Sequence, residues 1–183
     1  MPPVLNCCRL FFLIFFFGFF QPFMNAVAEA PQYRETRWEE LVPETWKPEE
    51  FFKEFQDLDD LSDGDPRAKK MLEILAAEWK KAPANKKFEK TQIKIPGFIA
   101  PLEWEKDGNL KEFLLVPYFG ACIHTPPPPA NQIIYVKMDK PLKKFKSMDS
   151  IWVYGKIELE TNDSGTMGTS GYSMVPDKVT RYE

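Results

Sequence analysis

"SIWVYGKIELE", residues 150–160, alternates apolar and polar side chains along most of its length. The odd positions from Ile151 to Leu159 carry Ile, Val, Gly, Ile and Leu, whereas the even positions from Trp152 to Glu158 carry Trp, Tyr, Lys and Glu. Successive side chains of a β-strand point to opposite faces of the sheet. The pattern therefore predicts one long strand with a buried face and a solvent-facing one.

Four further segments have the composition of short strands and surround this one in the sequence. They are "TQIKIPGFIAPLEW" (91–104), "KEFLLVPYF" (111–119), "QIIYVKM" (132–138) and "YSMVPDKV" (172–179). Pro96 and Gly97 interrupt the first of them, which predicts a bulge or a sharp bend there. About five short strands without a regular helix between them are best accommodated in a small, curved antiparallel barrel, because closure removes exposed strand edges.

A helix is predicted directly before the strands, over Pro66–Ala82. Asp65 has the chemistry of an N-cap, and Pro66 suits the first helical position. Met71, Leu72, Leu75 and Trp79 fall on one face, which predicts a helix that covers the barrel. The predicted fold class is mainly β with flanking helices, namely a small OB-like (oligonucleotide/oligosaccharide-binding) antiparallel β-barrel with one covering helix.

The N-terminus has the features of a secretory signal peptide. An apolar run from Leu10 to Phe20 follows Arg9, and Ala26-Val27-Ala28 provides a small-residue cleavage site. The run is too short for a spanning helix, which needs about 20 apolar residues. Residues 1–28 are thus predicted to be removed, so that the mature protein begins at Glu29, is periplasmic and has no membrane span.

Residues 29–65 form an acidic, aromatic N-terminal arm, and residues 66–183 form the domain of helix and barrel. The arm carries Trp38 and Trp46, followed by a short predicted helix with Phe51, Phe52, Phe55 and Leu58 on one face. These aromatic residues indicate either a surface for a partner or a strap packed on the domain's own core. Helical spacing of aromatic residues favours the strap.

Charge and cysteine content restrict the function. The chain has 24 Lys and Arg residues, of which Arg9 lies in the signal peptide, against 27 Asp and Glu residues. A net charge of −4 for the mature chain argues against nucleic-acid binding through a basic face. Cys7 and Cys8 leave with the signal peptide, so Cys122 remains as a lone thiol that is buried, ligated or paired between chains.

The stretch "GACIHTPPPPANQ", residues 120–132, carries the candidate site. In an extended segment Cys122 and His124 would face the same side, and thiolate and imidazole are good ligands for zinc or copper. A third ligand would come from Glu103, from Asn131 or from a second copy of the chain. Asn131 and Gln132 would either satisfy the carbonyls of the turn or contact a ligand. Cys122 and His124 also suggest a nucleophile and its base. Side chains two residues apart on one strand run parallel, however, and are poorly oriented for proton transfer between them. In the remaining interpretation Cys122 is a core residue and His124 locks the turn into Pro126–Pro129.

Three blocks of this sequence resemble an exported bacterial family known as domain of unknown function 3299. They are "KIPGFIAPLE", "EFLLVPYFGACIHTPPPPANQIIYVK" and "VYGKIELE", and the similarity extends from about Trp38 to the C-terminus. The resemblance implies a periplasmic protein of a Gram-negative bacterium, with neighbours that handle metal ions or belong to ATP-driven export systems. It supplies no catalytic residue.

The expected function is therefore that of an exported periplasmic accessory or binding protein. Metal-ion handling and membership of a membrane transport system are the roles that the resemblance suggests. A thiol-dependent enzyme using Cys122 and His124, or a purely structural partner subunit, are the alternatives.

Overall fold

The structure is a computed structural model that describes residues 31–48, 65–123 and 127–182. The predicted signal peptide, the aromatic helix face from Phe51 to Leu58, His124 and Pro126 lie outside the described residues. From residue 31 onward the described residues belong to one compact unit.

The segment around Ile151–Leu159 forms the strand that closes the sheet. The strands are β1 (Arg34–Glu35), β2 (Thr91–Trp104), β3 (Leu110–Val116), β4 (Ile134–Leu142), β5 (Ser150–Glu158), β6 (Asn162–Asp163), β7 (Thr169–Ser170) and β8 (Tyr172–Arg181). β5 pairs with β8 on one side and with β2 on the other, so β2, β3, β4, β8 and β5 form a closed ring. Ile151, Val153 and Ile157 are fully buried inside it, which confirms the alternation predicted from the sequence.

The barrel is antiparallel at every strand pair but one. β4 and β8 run parallel over Ile134–Val136 and Tyr172–Met174. The architecture is mainly β, with a small OB-like barrel and, within the described residues, one α-helix, as the sequence predicts. The short β1 adds to β2 in parallel outside the ring.

β2 is long because it pairs with two strands in succession. Its first half pairs with β5 and its second half with β3, and Phe98 is paired to both Ser150 and Val116. The prediction at Pro96 and Gly97 was a bulge or a sharp bend. The pairing runs without interruption through both residues, so there is no bulge there; the register shifts lie between Pro101 and Trp104. Gly97 instead permits close packing, since a Cβ there would lie 2.8 Å from the Val116 carbonyl oxygen.

The start of the described chain is built into the barrel core. Trp38 and Leu41 belong to the main buried cluster together with Phe88 and the inward residues of the strands. The Trp38 indole N–H donates to the Pro96 carbonyl at 2.7 Å, and the Tyr172 hydroxyl donates to the Leu41 carbonyl at 2.6 Å. This part of the arm is a strap on the protein's own core.

The helix, α1, spans Pro66–Lys80 and begins as predicted. The Asp65 carboxylate accepts a hydrogen bond from the Arg67 backbone N–H at 2.8 Å, which caps the first turn. None of the residues of α1 is buried, and the Leu72 side chain is 62% exposed. Met71, Leu75 and Trp79 on the predicted face are half-buried, which is consistent with a covering helix, whereas Leu72 stays accessible.

Among the described residues, no helix has the length and apolar character needed to span a membrane.

Candidate functional site

Cys122 lies in a turn, and its side chain is buried beneath the loop. The Ile123 N–H donates to the Gly120 carbonyl, and Cys122 has φ +64°, a left-handed conformation that is uncommon outside glycine. The residue is therefore not in the extended segment from which the shared orientation of Cys122 and His124 was predicted. Cys122 is 7% exposed and packs in a second apolar cluster with Ala100, Leu114, Val116, Ala121 and Ile133.

This second cluster lies on the outside of the barrel wall. Ile99 and Leu115 point into the barrel core, whereas their neighbours Ala100 and Leu114 belong to the second cluster. The loop between β3 and β4 thus folds back over the outer face of β2 and β3. Cys122 helps to anchor it there.

Burial changes the chemistry of the thiol. Desolvation raises the pKa of Cys122 to about 11. At pH 7 only about one thiol in ten thousand is then ionised. Because the thiolate is the nucleophile, the raised pKa of Cys122 disfavours a catalytic role for it near neutral pH.

We expect Cys122→Ser to destabilise the protein by about 1–3 kcal/mol, since a hydroxyl would replace a thiol in apolar surroundings. In the native wild-type protein the thiol should react with a disulfide reagent at least about 100-fold more slowly than in the urea-unfolded chain. Urea unfolding curves and reaction time courses measure the two effects, with Cys122→Ala as the control that adds no polar group.

The same samples test the predicted metal site. Zinc or copper(I) should leave the melting temperature of the reduced protein unchanged if Cys122 is a core residue. A rise in wild type that both Cys122→Ser and His124→Ala abolish would contradict this and establish the two residues as ligands.

The other candidate ligands have separate surroundings. Glu103 is exposed on β2 and its carboxylate pairs with the Lys111 ammonium at 3.0 Å. The Asn131 side-chain N–H group donates to the Pro83 carbonyl at 3.2 Å, and that of Gln132 donates to the Trp38 carbonyl at 2.8 Å. Both amides thus join distant segments of backbone, although the buried Oδ1 of Asn131 has no partner among the described residues.

A metal centre among these residues stays a prediction. Within residues 31–48, 65–123 and 127–182, no three His, Cys, Asp or Glu side chains are grouped so as to hold a metal ion. His124 lies outside these ranges.

The described prolines are packed and do not form a free linker. Pro128 is buried, and Pro127 lies against Gly168, where a Cβ atom would come within 2.7 Å of the Pro127 Cβ. Gly168 also has φ +111°, which favours glycine. Close packing on Gly168 thus holds Pro127 in place.

The outer side of the same loop carries exposed apolar residues. β3 ends at Val116, so Tyr118 and Phe119 follow Pro117 outside the strand. Phe119 is 65% exposed and its ring meets that of Phe98 edge-on, with centroids 5.9 Å apart. Tyr118 and Ile123 are exposed as well. Apolar groups gathered at a surface are typical of binding sites.

An apolar groove lies between α1 and the proline segment. Its volume is about 410 Å³, within the usual range for ligand pockets. One wall comes from α1 and the other from the loop and the proline segment, with the floor near β7. The lining residues are Leu72, Leu75, Ala76, Trp79, Lys80, Tyr118, Pro127, Pro128, Gly168 and Thr169. Lys80 is the one lining residue that carries a charge, and it forms no ion pair with any described residue.

The described residues define a small, mainly β protein with an OB-like barrel, an outer loop and an apolar groove. The sequence matches the model of the family "Protein of unknown function (DUF3299)" over residues 38–181. The chain belongs to this family. A crystal structure of a family member from Pseudomonas aeruginosa PAO1 is similar, with 35% identity, a TM-score of 0.64, and coverage of 84% of this chain and 98% of the other. No curated protein matches the sequence at a significant level.

Sequence reasoning missed the groove and the exposed aromatic residues of the loop. It included Tyr118 and Phe119 in a strand, and it did not bring Leu72, Leu75 and Trp79 of the covering helix together with the proline segment. Pro117 was the available signal, because a proline at the end of an apolar run often ends a strand.

Proposed function

We propose that this protein is an exported periplasmic accessory protein that binds an apolar ligand or segment and catalyses no reaction. The observation that carries the proposal is the apolar groove, in which α1 leaves its apolar face accessible opposite a fixed proline wall. Export is proposed from the signal peptide features of residues 1–28.

The chemistry of Cys122 favours binding over catalysis. A thiol-dependent enzyme needs an accessible sulfur that is ionised near neutral pH. The buried Cys122 has the opposite properties. Metal handling would depend on Cys122 together with His124 and stays a prediction from the sequence, tested by the titration above.

A structural subunit of a larger assembly, such as an export system, is the second candidate. The exposed side chains of Tyr118, Phe119 and Ile123 favour it, because they lie on the outside of a loop that is anchored by its inner side. In that case replacement of Phe119 would disrupt assembly, whereas replacement of Leu72 in the groove would disrupt ligand binding.

Binding of a neutral fluorescent probe tests the groove. We expect one molecule of N-phenylnaphthylamine to bind per chain, and Leu72→Glu to abolish the fluorescence rise because it introduces a charge into the apolar wall. Ile74→Glu is the matched control: Ile74 is also exposed on α1 but does not line the groove, so this variant should bind as wild type does.

Both variants should keep the wild-type melting temperature, because neither side chain is buried. Equal binding by the two variants, or no binding by wild type, would show that the groove is not an accessible site and would refute the proposal.

A further inference from the structure

The charge at the rim of the groove restricts the ligand. Lys80 contributes the one charged side chain of the lining, and no described carboxylate neutralises it. Its neighbour Lys81 differs, since it pairs with Glu78 at 3.0 Å. An apolar channel with a single unpaired ammonium group at its border is complementary to a molecule with an apolar body and one negative charge.

The size of the groove restricts the ligand further. Its volume of about 410 Å³ lies near the lower end of the range for small-molecule pockets, about 300–1,000 Å³. A groove of this size matches a small ligand such as one acyl chain.

The walls suit such a chain as well. Leu72, Leu75 and Trp79 line one side along successive turns of α1, and the packed Pro127 and Pro128 form the other. The proline wall is rigid, because Pro127 packs on Gly168 and Pro128 is buried. A preformed apolar channel lowers the entropic cost of ordering a flexible chain.

We infer that the groove binds a free single-chain anionic amphiphile of the fatty-acid type, with its chain between α1 and the proline wall and its carboxylate at the Lys80 ammonium group. This inference rests on the proposed function and specifies the ligand of the same site.

Dodecanoate is the direct probe, used below its micellar concentration and followed by calorimetry or by displacement of N-phenylnaphthylamine. One dodecanoate should bind per chain, and decanoate should bind about 15-fold more weakly, because it lacks two methylenes and each buried methylene changes affinity about fourfold. Dodecanol should bind more weakly than dodecanoate, and dodecyltrimethylammonium should bind weakest, since its charge repels Lys80.

Two charge-reversal variants separate the rim contact from general electrostatics. Lys80→Glu should weaken dodecanoate binding about tenfold and leave binding of the neutral probe unchanged. Lys70→Glu makes the same change in charge at an exposed position of α1 outside the groove lining and should have little effect.

The dodecanoate experiments can fail without contradicting the proposed binding role. If the neutral probe binds and dodecanoate does not, or if both lysine variants behave alike, the inference is wrong while the binding role stands. Failure of both probes would overturn both proposals and would indicate that another part of the chain or a partner protein occupies the groove. Binding to phosphatidylglycerol vesicles without binding of free dodecanoate would assign the surface to membranes and would also overturn the inference.

Discussion

Trp38→Ala is expected to lower the free energy of unfolding by about 3–5 kcal/mol, the usual cost of removing a large buried aromatic side chain. Trp38 is 8% exposed in the barrel core, and its indole N–H also donates to the Pro96 carbonyl. The loss combines a cavity with an unsatisfied carbonyl beside the point where β2 changes partner. Urea unfolding monitored by circular dichroism measures it.

Two control variants separate the effect of packing from that of the hydrogen bond and from the loss of any tryptophan. Trp38→Phe keeps most of the packing and loses the hydrogen bond, so it should cost about 1–2 kcal/mol. Trp104→Ala removes a tryptophan that is 41% exposed and should cost about 1 kcal/mol or less. If Trp38→Ala left stability unchanged, residues 31–48 would be a separate arm available to a partner and not a strap on the core.

Tyr172→Phe is expected to destabilise the protein by about 2–4 kcal/mol although it removes a single oxygen atom. The buried Tyr172 hydroxyl accepts from the Asn85 backbone N–H and donates to the Leu41 carbonyl, both at 2.6 Å. Phenylalanine would leave both backbone groups without this partner, and each unsatisfied buried group costs about 1–3 kcal/mol. This hydroxyl therefore ties the strap and the segment before β2 to the barrel.

Tyr182→Phe is the matched control, because the Tyr182 ring stacks on Trp152 and its side chain is exposed. It should change stability by less than about 0.5 kcal/mol. Thermal unfolding of the two variants side by side is the measurement. A similar small effect for Tyr172→Phe would mean that the two backbone groups find other partners.

The sequence predicts the barrel and the start of the helix better than it predicts the surroundings of the candidate site. The alternation of Ile151, Val153 and Ile157 predicted the face of β5, because burial in a one-sided strand follows a period of two. The N-cap at Asp65 and the start of α1 at Pro66 were predictable for a similar reason, since capping depends on residues adjacent in the chain.

Local rules failed where distant segments meet. Pro96 and Gly97 predicted a bulge or a sharp bend, and no local pattern indicated that Gly97 is required by the close approach of β3. The amides of Asn131 and Gln132 were expected to bond nearby carbonyls or a ligand, whereas they bond Pro83 and Trp38. Sequence separations of 48 and 94 residues lie beyond any local pattern.

The sequence by itself determined the fold class and the position of Cys122 next to a proline run, because hydrophobic periodicity and composition are properties of the chain. It also carried the resemblance that the family match confirms. Only the tertiary structure decided that Cys122 is buried, since desolvation depends on the groups packed around a residue and not on its neighbours in sequence. The groove has the same origin: its walls come from α1 and the proline segment, which lie far apart in the chain and meet only when the barrel has closed.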